Sequence, residues 1–427
     1  MRDHHGPSNS PSSARRNAAR TGRERRRLLR RISPAVCATA LACALAVSSP
    51  ASSAPQAPSL PAGTYVALGD SYASGYGLPP YAEGTNVRGG NNCQRSSSAY
   101  AHQVADQTGK TLDFDACSGA RTGDFYQPNA SWGEPAQLDH LSASTGLVSF
   151  SIGGNDAGFA QILTKCVTQL PFSTCSGDNA VTAPVDSAID ALAGKTTQEG
   201  VTSYDTIMTD IGTRAPNATV VAVGYPRMFT PRGAGQFFPV PGRCEGLTKV
   251  DQRWINARTN DLNTVLKATA LRHGYQFTDP SGSFAGHELC GKQGSWFEGL
   301  LEDGRFHPNA AGHTATADSV VGTLAAPQAQ EAAQDQPAAA EAQLDNVRPT
   351  GSFTLTRDGD QVALDASASS DADGAVTNID WYIQRADGTE EVLTGAQATA
   401  TVPASEQVSV TAVVTDNQGK ETFSSQV

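Results

Sequence analysis

Three short apolar runs, each ending at a glycine, restrict the fold of this chain more than any other feature. Residues 65–68, 147–152 and 219–224 have the length and composition of buried β-strands. Residues 249–273 predict a long amphipathic helix, because their large apolar side chains recur at helical spacing. Strands that alternate with helices are typical of an α/β domain with a mainly parallel sheet, whose ligands bind at the carboxyl ends of the strands.

The C-terminal third of the chain has a different pattern. Residues 326–346 are mainly alanine, glutamine and acidic residues, and they predict a linker with too little apolar surface to order itself. Beyond it, apolar residues alternate with period two between turns predicted at Asp358-Gly359 and Asp387-Gly388, which indicates a small β-sandwich. The predicted segments are a signal peptide (1–54), a short N-terminal segment of the mature chain (55–63), the α/β domain (64–325), the linker (326–346) and the β-sandwich (347–427).

The first 54 residues have the three parts of a secretory signal. An arginine-rich stretch (15–31) precedes an apolar stretch (32–47), and small residues follow as far as Ala54. The apolar stretch is shorter than the about 20 residues that a membrane-spanning helix needs. We therefore expect cleavage near Ala54 and secretion of the mature protein. Residues 25–30 (RRRLLR) also resemble a twin-arginine signal, which keeps that export route open.

Charge and cysteine content agree with an exported, acidic protein. The net charge is −11, with 31 Lys and Arg against 42 Asp and Glu, which argues against nucleic acid as a partner. Six cysteines lie between Cys93 and Cys290. An even number in an exported chain predicts disulfides, and six cysteines allow 15 pairings. The chain has no CxxC or HExxH spacing, so the sequence predicts neither a metal nor a cofactor.

The first predicted strand runs directly into the motif Gly69-Asp70-Ser71-Tyr72. A serine just past the end of a strand can present its hydroxyl at the rim of the sheet, where a general base can activate it. The GxSxG elbow of α/β-hydrolases is absent, because residue 73 is alanine. In isolation such a motif is most often a plain turn, so its meaning depends on the rest of the chain.

Four blocks along the chain resemble those of the GDSL/SGNH esterase–lipase family, which supply serine, glycine, asparagine and histidine in that order. They contain Ser71 in GDSY, Gly119 in ACSGART, Asn155 in IGGNDAGF and His307 in GRFHPN. The resemblance covers residues 64 to about 325 and implies a three-layer α/β/α fold. It also implies that Ser71 is the nucleophile and His307 the base. The N–H groups of Ser71 and Gly119 and the side-chain amide of Asn155 would then form the oxyanion hole.

The histidine block departs from the family pattern Asp-x-x-His, because Gly304 stands where the aspartate is expected. The sequence therefore predicts a Ser71–His307 dyad in which the Gly304 carbonyl accepts the Nδ1 proton of the imidazole. Asp303 is the alternative acceptor. His313, six residues further on, is expected to face solvent.

The resemblance also bears on the cysteines and on the C-terminal segment. Secreted relatives pair their cysteines sequentially, which implies the disulfides Cys93–Cys117, Cys166–Cys175 and Cys244–Cys290. The C-terminal segment resembles a PKD-type module through LDASASSDADG, IDWY and VVTDNQG, with Trp381 expected in its core. Such modules act as spacers or contact polysaccharides, cell surfaces or proteins.

Together the resemblances imply a secreted, monomeric serine esterase or lipase that needs no cofactor and acts on lipid or small acyl esters. Residues 236–240 are expected to line either an acyl pocket or the core. Three alternatives stay open: a polysaccharide O-deacetylase brought to its substrate by the C-terminal module, a phospholipase A, and a catalytically silent surface-binding protein.

Overall fold

The computed structural model describes residues 60–167, 174–235, 244–326 and 332–426. The predicted signal peptide (1–54) and the predicted pocket segment (236–240) lie outside these residues. No helix in the described ranges is both long and apolar enough to cross a membrane.

A five-stranded parallel sheet forms the centre of the α/β domain. Its strands are β1 (Thr64–Gly69), β2 (Leu112–Phe114), β3 (Thr145–Ser151), β4 (Thr219–Val223) and β5 (Gln276–Thr278). They lie in the order β2-β1-β3-β4-β5, and every neighbouring pair is parallel. The three predicted strands are therefore confirmed. The sequence missed β2 and β5, which have three residues each.

Both faces of the sheet are covered by helices, so this domain has three layers. The helices are α1 (Ser71–Ser74), α2 (Tyr100–Thr108), α3 (Phe159–Val167), α4 (Asn179–Leu192), α5 (Tyr204–Arg214), α6 (Lys249–Arg272) and α7 (Ala310–Ala325). On β1, Tyr65 and Ala67 pack with α2 and α7, whereas Val66 and Leu68 pack in the core that contains α4, α5 and α6. Burial on both faces explains why this strand is a continuous apolar run.

The C-terminal module is a sandwich of two antiparallel sheets. Its strands are β6 (Thr354–Asp358), β7 (Gln361–Asp365), β8 (Val376–Gln384), β9 (Glu390–Thr394), β10 (Gln397–Thr401), β11 (Ser409–Asp416) and β12 (Glu421–Gln426). One sheet has the order β10-β7-β6 and the other β12-β11-β8-β9. Trp381 is fully buried between them and donates a hydrogen bond to the Gly395 carbonyl at 2.8 Å. The predicted fold class, a three-layer α/β domain followed by a β-sandwich, is confirmed.

The segment predicted as a linker contains a further helix, α8 (Ala332–Asp345). Ala340 and Leu344 are buried, and the Lys195 ammonium donates to the Leu344 carbonyl at 3.0 Å. The sequence predicted that this segment has too little apolar surface to order itself, whereas the structure shows a helix with two buried apolar side chains. Alanine has the highest intrinsic helix propensity, and residues four apart share one face of a helix, so even this composition supplies a small apolar contact.

Helix α6 connects the two parts of the molecule. Its observed bounds agree with the predicted helix, but it is buried on most sides rather than amphipathic, because α4, α5, α8 and the β-sandwich all pack against it. Arg253 of α6 is 6% exposed and forms ion pairs with Asp380 and Glu421 of the module. Its guanidinium also lies 5.9 Å from the ring centroid of Tyr382. The module is thus packed against the α/β domain through a buried cation.

Candidate active site

Ser71 lies at the carboxyl end of β1, at the first position of helix α1. The chain turns sharply at Gly69, where φ is +132° and a Cβ atom would lie 2.4 Å from the Ser151 carbonyl oxygen, so only glycine fits. The side chain of Asp70 caps α1 by accepting a hydrogen bond from the Tyr72 N–H at 2.9 Å. These two residues direct the Ser71 side chain toward the rim of the sheet.

His307 contacts Ser71 directly. Its Nε2 atom lies 2.8 Å from the Ser71 Oγ atom, and its Nδ1 atom lies 2.9 Å from the Arg305 carbonyl oxygen. The nearest acceptor of Nδ1 is thus the Arg305 carbonyl and not the predicted Gly304 carbonyl; the Gly304 carbonyl accepts the backbone N–H of His307 at 2.9 Å and also acts on the ring, raising the pKa of the imidazole. Asp303 is exposed and forms no hydrogen bond with the imidazole. The tight turn places the carbonyl two residues before the histidine, rather than three, beside the ring.

The environment of His307 favours its neutral form. Burial lowers the pKa of the imidazole to about 4. The Tyr72 and Tyr76 rings pack against it at centroid distances of 4.9 and 4.8 Å. Tyr72 also donates a hydrogen bond to the Phe306 carbonyl at 2.7 Å, which anchors a loop whose Phe306 has a left-handed φ of 66°. With the proton held on Nδ1, the Nε2 lone pair is available to accept the Ser71 proton.

Gly119 and Asn155 line the same cleft as Ser71 and His307. Gly119 has a φ of +83°, and the N–H of Cys117 binds the Gly69 carbonyl at 2.9 Å, which holds this loop beside the end of β1. The Asn155 amide donates one hydrogen to the Ala120 carbonyl at 2.9 Å, and its second hydrogen is available. Among the described residues, none accepts a hydrogen bond from the N–H of Ser71 or Gly119. Three unused donors are therefore available to an oxygen atom bound in the cleft.

Two buried carboxylates, which the sequence analysis did not single out, connect these loops. Asp70 accepts a hydrogen bond from the Tyr225 hydroxyl at 2.5 Å, and the same hydroxyl accepts the Gly154 N–H at 2.9 Å. Burial raises the pKa of Asp70 to about 7. Asp156 accepts hydrogen bonds from the N–H and hydroxyl of Thr122, and burial raises its pKa as well. The position of Tyr225 just after the third predicted strand is the signal that could have identified it.

The cleft beside Ser71 has a volume of about 370 Å³. Away from the polar groups it is lined by large apolar side chains: Phe159, Leu163, Met228, Ile255 and Phe306. An apolar cavity with a few convergent polar groups is the usual form of a small-molecule site. His313 does not face solvent as expected; it is buried, and its Nδ1 accepts the Tyr100 N–H at 3.2 Å.

The structure contains three disulfides, in the pairing that the resemblance implied: Cys93–Cys117, Cys166–Cys175 and Cys244–Cys290. The first ends two residues before Gly119 and therefore links the loop that contains Gly119 to residue 93. The second joins the end of α3, which lines the cleft, to the segment before α4. These two cross-links restrict segments next to the candidate site.

Known proteins resemble both parts of the chain. Lipase 1 of Streptomyces coelicolor is 40% identical over 269 residues, which is 62% of this chain and 87% of that protein. The crystal structure of phospholipase A1 from Streptomyces albidoflavus NA297 shares 34% identity with a TM-score of 0.48, over 62% of this chain and 98% of that one. The PKD1 domain of Vibrio anguillarum Epp shares 22% identity with a TM-score of 0.17, over 19% of this chain and 92% of that domain. Residues 67–315, more than half of the chain, match the family model described as GDSL-like Lipase/Acylhydrolase, and the protein belongs to that family.

Proposed function

We propose that this carboxylic ester hydrolase cleaves acyl esters through an acyl-enzyme on Ser71. The observation that carries the proposal is the 2.8 Å contact between Ser71 Oγ and the unprotonated Nε2 of His307, at the mouth of an apolar cleft. A nucleophile, a base within hydrogen-bond reach and donors for the developing oxyanion are the requirements of this chemistry.

The first half of the reaction forms the acyl-enzyme. Nε2 of His307 takes the hydroxyl proton as Ser71 Oγ attacks the ester carbonyl carbon. The carbonyl oxygen becomes an oxyanion, which accepts hydrogen bonds from the N–H groups of Ser71 and Gly119 and from the Asn155 amide. Each such donor contributes about 2.7–4 kcal/mol to the stability of the transition state. The intermediate collapses when His307 returns its proton to the departing alcohol oxygen.

The second half repeats these steps with water as the nucleophile and Ser71 as the leaving group. The imidazolium that forms in each half reaction is stabilised by its Nδ1–H hydrogen bond to the Arg305 carbonyl, rather than by a carboxylate. A backbone carbonyl carries only a partial charge, but it fixes the tautomer and the orientation of the ring as an aspartate does in a triad.

The lining of the cleft favours a medium or long acyl chain over acetyl. The cleft has an apolar wall that a medium or long acyl chain would cover, whereas an acetyl group would cover little of it. The wall is formed by Phe159, Leu163, Met228 and Ile255. A lipase or phospholipase A is therefore favoured over a polysaccharide O-deacetylase.

We also propose that the protein is exported, because three disulfides are typical of an oxidising compartment. N-terminal sequencing of the secreted protein would test cleavage near Ala54.

The test combines p-nitrophenyl esters from acetyl to palmitoyl with phospholipid vesicles and acetylated xylan. We expect kcat/KM to rise with chain length beyond acetyl, and Ser71→Ala to abolish turnover on every substrate. Ser97→Ala is the matched control, because Ser97 is exposed and does not line the cleft. A preference for acetylated xylan would refute the lipase proposal. Failure of a serine-directed phosphonate to label Ser71 would favour the silent binding protein.

A further inference from the structure

A cluster of three titratable side chains lies at the edge strand of the sheet, next to the loop that contains Cys117 and Gly119, which is called the oxyanion loop below. Asp113 belongs to β2, Asp115 follows it, and His140 ends the 3₁₀ helix Gln137–His140. The Nδ1 atom of His140 lies 3.4 Å from Oδ2 of Asp113 and 3.1 Å from Oδ2 of Asp115. One donor atom from each side chain therefore lies within 4.8 Å of the other two.

The cluster has an unsatisfied polar atom. Asp115 is 7% exposed; its buried Oδ2 atom faces the His140 Nδ1 atom at 3.1 Å, but among the described residues none donates a well-aligned hydrogen bond to it. The guanidinium of Arg95 lies close by, but it binds the Glu134 carboxylate and the backbone carbonyls of Asp115 and Ala116. A buried carboxylate oxygen without a donor is costly in a folded protein and calls for a partner.

We propose that Asp113, Asp115 and His140 bind a divalent transition-metal cation, with Zn²⁺ as the ion that suits them best. Carboxylate oxygen and imidazole nitrogen are zinc ligands, whereas calcium and magnesium prefer oxygen alone. Zinc bonds of about 2.0–2.2 Å in a tetrahedron separate neighbouring ligand atoms by about 3.3–3.6 Å. The two separations from His140, 3.1 and 3.4 Å, are close to this spacing, and all three ligand atoms lie within 4.8 Å of one another.

The ion would join two segments that position the active site. Asp115 precedes Cys117 and Gly119 of the oxyanion loop. The helix that ends at His140 also carries Gln137, whose amide accepts the Gly69 N–H at 2.7 Å and donates to the Gly69 carbonyl at 2.9 Å. A metal bridge between β2 and this helix would therefore brace the oxyanion loop and the end of β1 together. Its role is structural, because the three ligands do not line the cleft that contains Ser71.

Isothermal titration of the tag-free, chelator-treated protein with ZnCl₂ tests the proposal independently of ester hydrolysis. We expect one saturable site per chain and a higher melting temperature with zinc. Asp113→Asn and His140→Gln should each weaken the affinity at least about tenfold. The control is His273→Gln, because His273 pairs with Asp205 at 2.9 Å outside any cluster of three such ligands among the described residues.

Three results would overturn the proposal. The first is the absence of saturable zinc binding by the wild-type protein. The second is an affinity that His140→Gln and Asp113→Asn leave unchanged, or that His273→Gln lowers as much. The third is binding of Ca²⁺ at this cluster in preference to Zn²⁺. The side chain of Asp113 is about half exposed (47%), so its change to asparagine, which keeps its size, should leave the fold intact, which circular dichroism can confirm.

Discussion

The Tyr225 hydroxyl joins three parts of the active site, and its removal is a sharp test of that network. Tyr225 is 4% exposed; it donates to the Asp70 carboxylate and accepts the Gly154 N–H. Tyr225→Phe deletes one oxygen atom and breaks both hydrogen bonds without changing the shape of the ring. The Asp70 carboxylate keeps the Tyr72 N–H as a donor, whereas the Gly154 N–H loses its acceptor.

The size of the effect follows from these two contacts. Loss of a hydrogen bond to a charged group costs about 1.5–3 kcal/mol, and an unpaired buried N–H costs about 1–3 kcal/mol. The free energy of unfolding should therefore fall by about 2.5–6 kcal/mol at pH 8.5. The Tyr225 hydrogen bond lowers the pKa of Asp70 toward about 7, so the pKa of Asp70 is higher in the variant. Part of this loss therefore depends on pH: at pH 5, where both proteins hold the proton, it is smaller by about 1.4 kcal/mol for each unit by which the two pKa values differ.

Urea unfolding at pH 5 and pH 8.5 measures both the loss in the free energy of unfolding and its dependence on pH. Tyr204→Phe is the matched control, because Tyr204 is fully buried and donates a single hydrogen bond, to the Ile152 carbonyl at 2.6 Å. We expect it to cost about 1–2 kcal/mol at either pH. The reasoning fails if Tyr225→Phe is no more destabilising than Tyr204→Phe, or if its effect is the same at both pH values.

Three further predictions follow from the site and its surroundings. Asp303→Asn should change kcat by less than about threefold, because Asp303 does not contact His307; a loss near the ~10⁴-fold typical of a triad aspartate would contradict the carbonyl-oriented dyad. Burial lowers the pKa of His307 to about 4, so the imidazole stays in its neutral, basic form in mild acid. The kcat/KM profile should therefore fall on its acid side with a midpoint near pH 4. A midpoint near pH 6.5 would instead show an unperturbed imidazole. Arg253→Met should lower the free energy of unfolding by about 3–5 kcal/mol, since it removes the buried cation from Asp380 and Glu421 and leaves Asp380 with the mostly exposed Arg232, 3.5 Å away. In thermal melts the exposed Lys165–Asp178 pair is the reference, and Lys165→Met should cost less than about 1 kcal/mol.

The sequence predicted the strands that are buried on both faces of the sheet and missed those at its edges. Strands β1, β3 and β4 are covered by helices on both sides, so they are continuous apolar runs that are easy to recognise. Strands β2 and β5 lie at the two edges, have three residues each and are largely half-buried, which leaves no pattern. Helix α6 was located correctly, but its burial could not be inferred, because α8 and the C-terminal module, which help to cover it, lie far away in the sequence.

The candidate site divides in the same way between local and distant features. Ser71, Gly119, Asn155 and His307 each stand in a short block, so their order along the chain was enough to propose them as site residues, and the structure places all four at one cleft. The acceptor for His307 was not identifiable, because every residue has a carbonyl and only the turn decides that Arg305 supplies it. Tyr225, which binds Asp70, is also far from it in the sequence, so local motifs could not predict this contact.

The position of α6 changes how the C-terminal module should be regarded. Ile255 and Thr259 of this helix line the cleft, while Arg253, two residues before Ile255 and therefore on the other side of the helix, is held by the module. Val250 is buried against Tyr382 and Val413 of the module. Without the module, α6 would expose both the apolar side chain of Val250 and the charge of Arg253 on this surface. A helix that forms a wall of the cleft cannot shift without disturbing either the cleft or these contacts. The ion pairs of Arg253 with the module therefore hold this helix from the side opposite the one that lines the cleft.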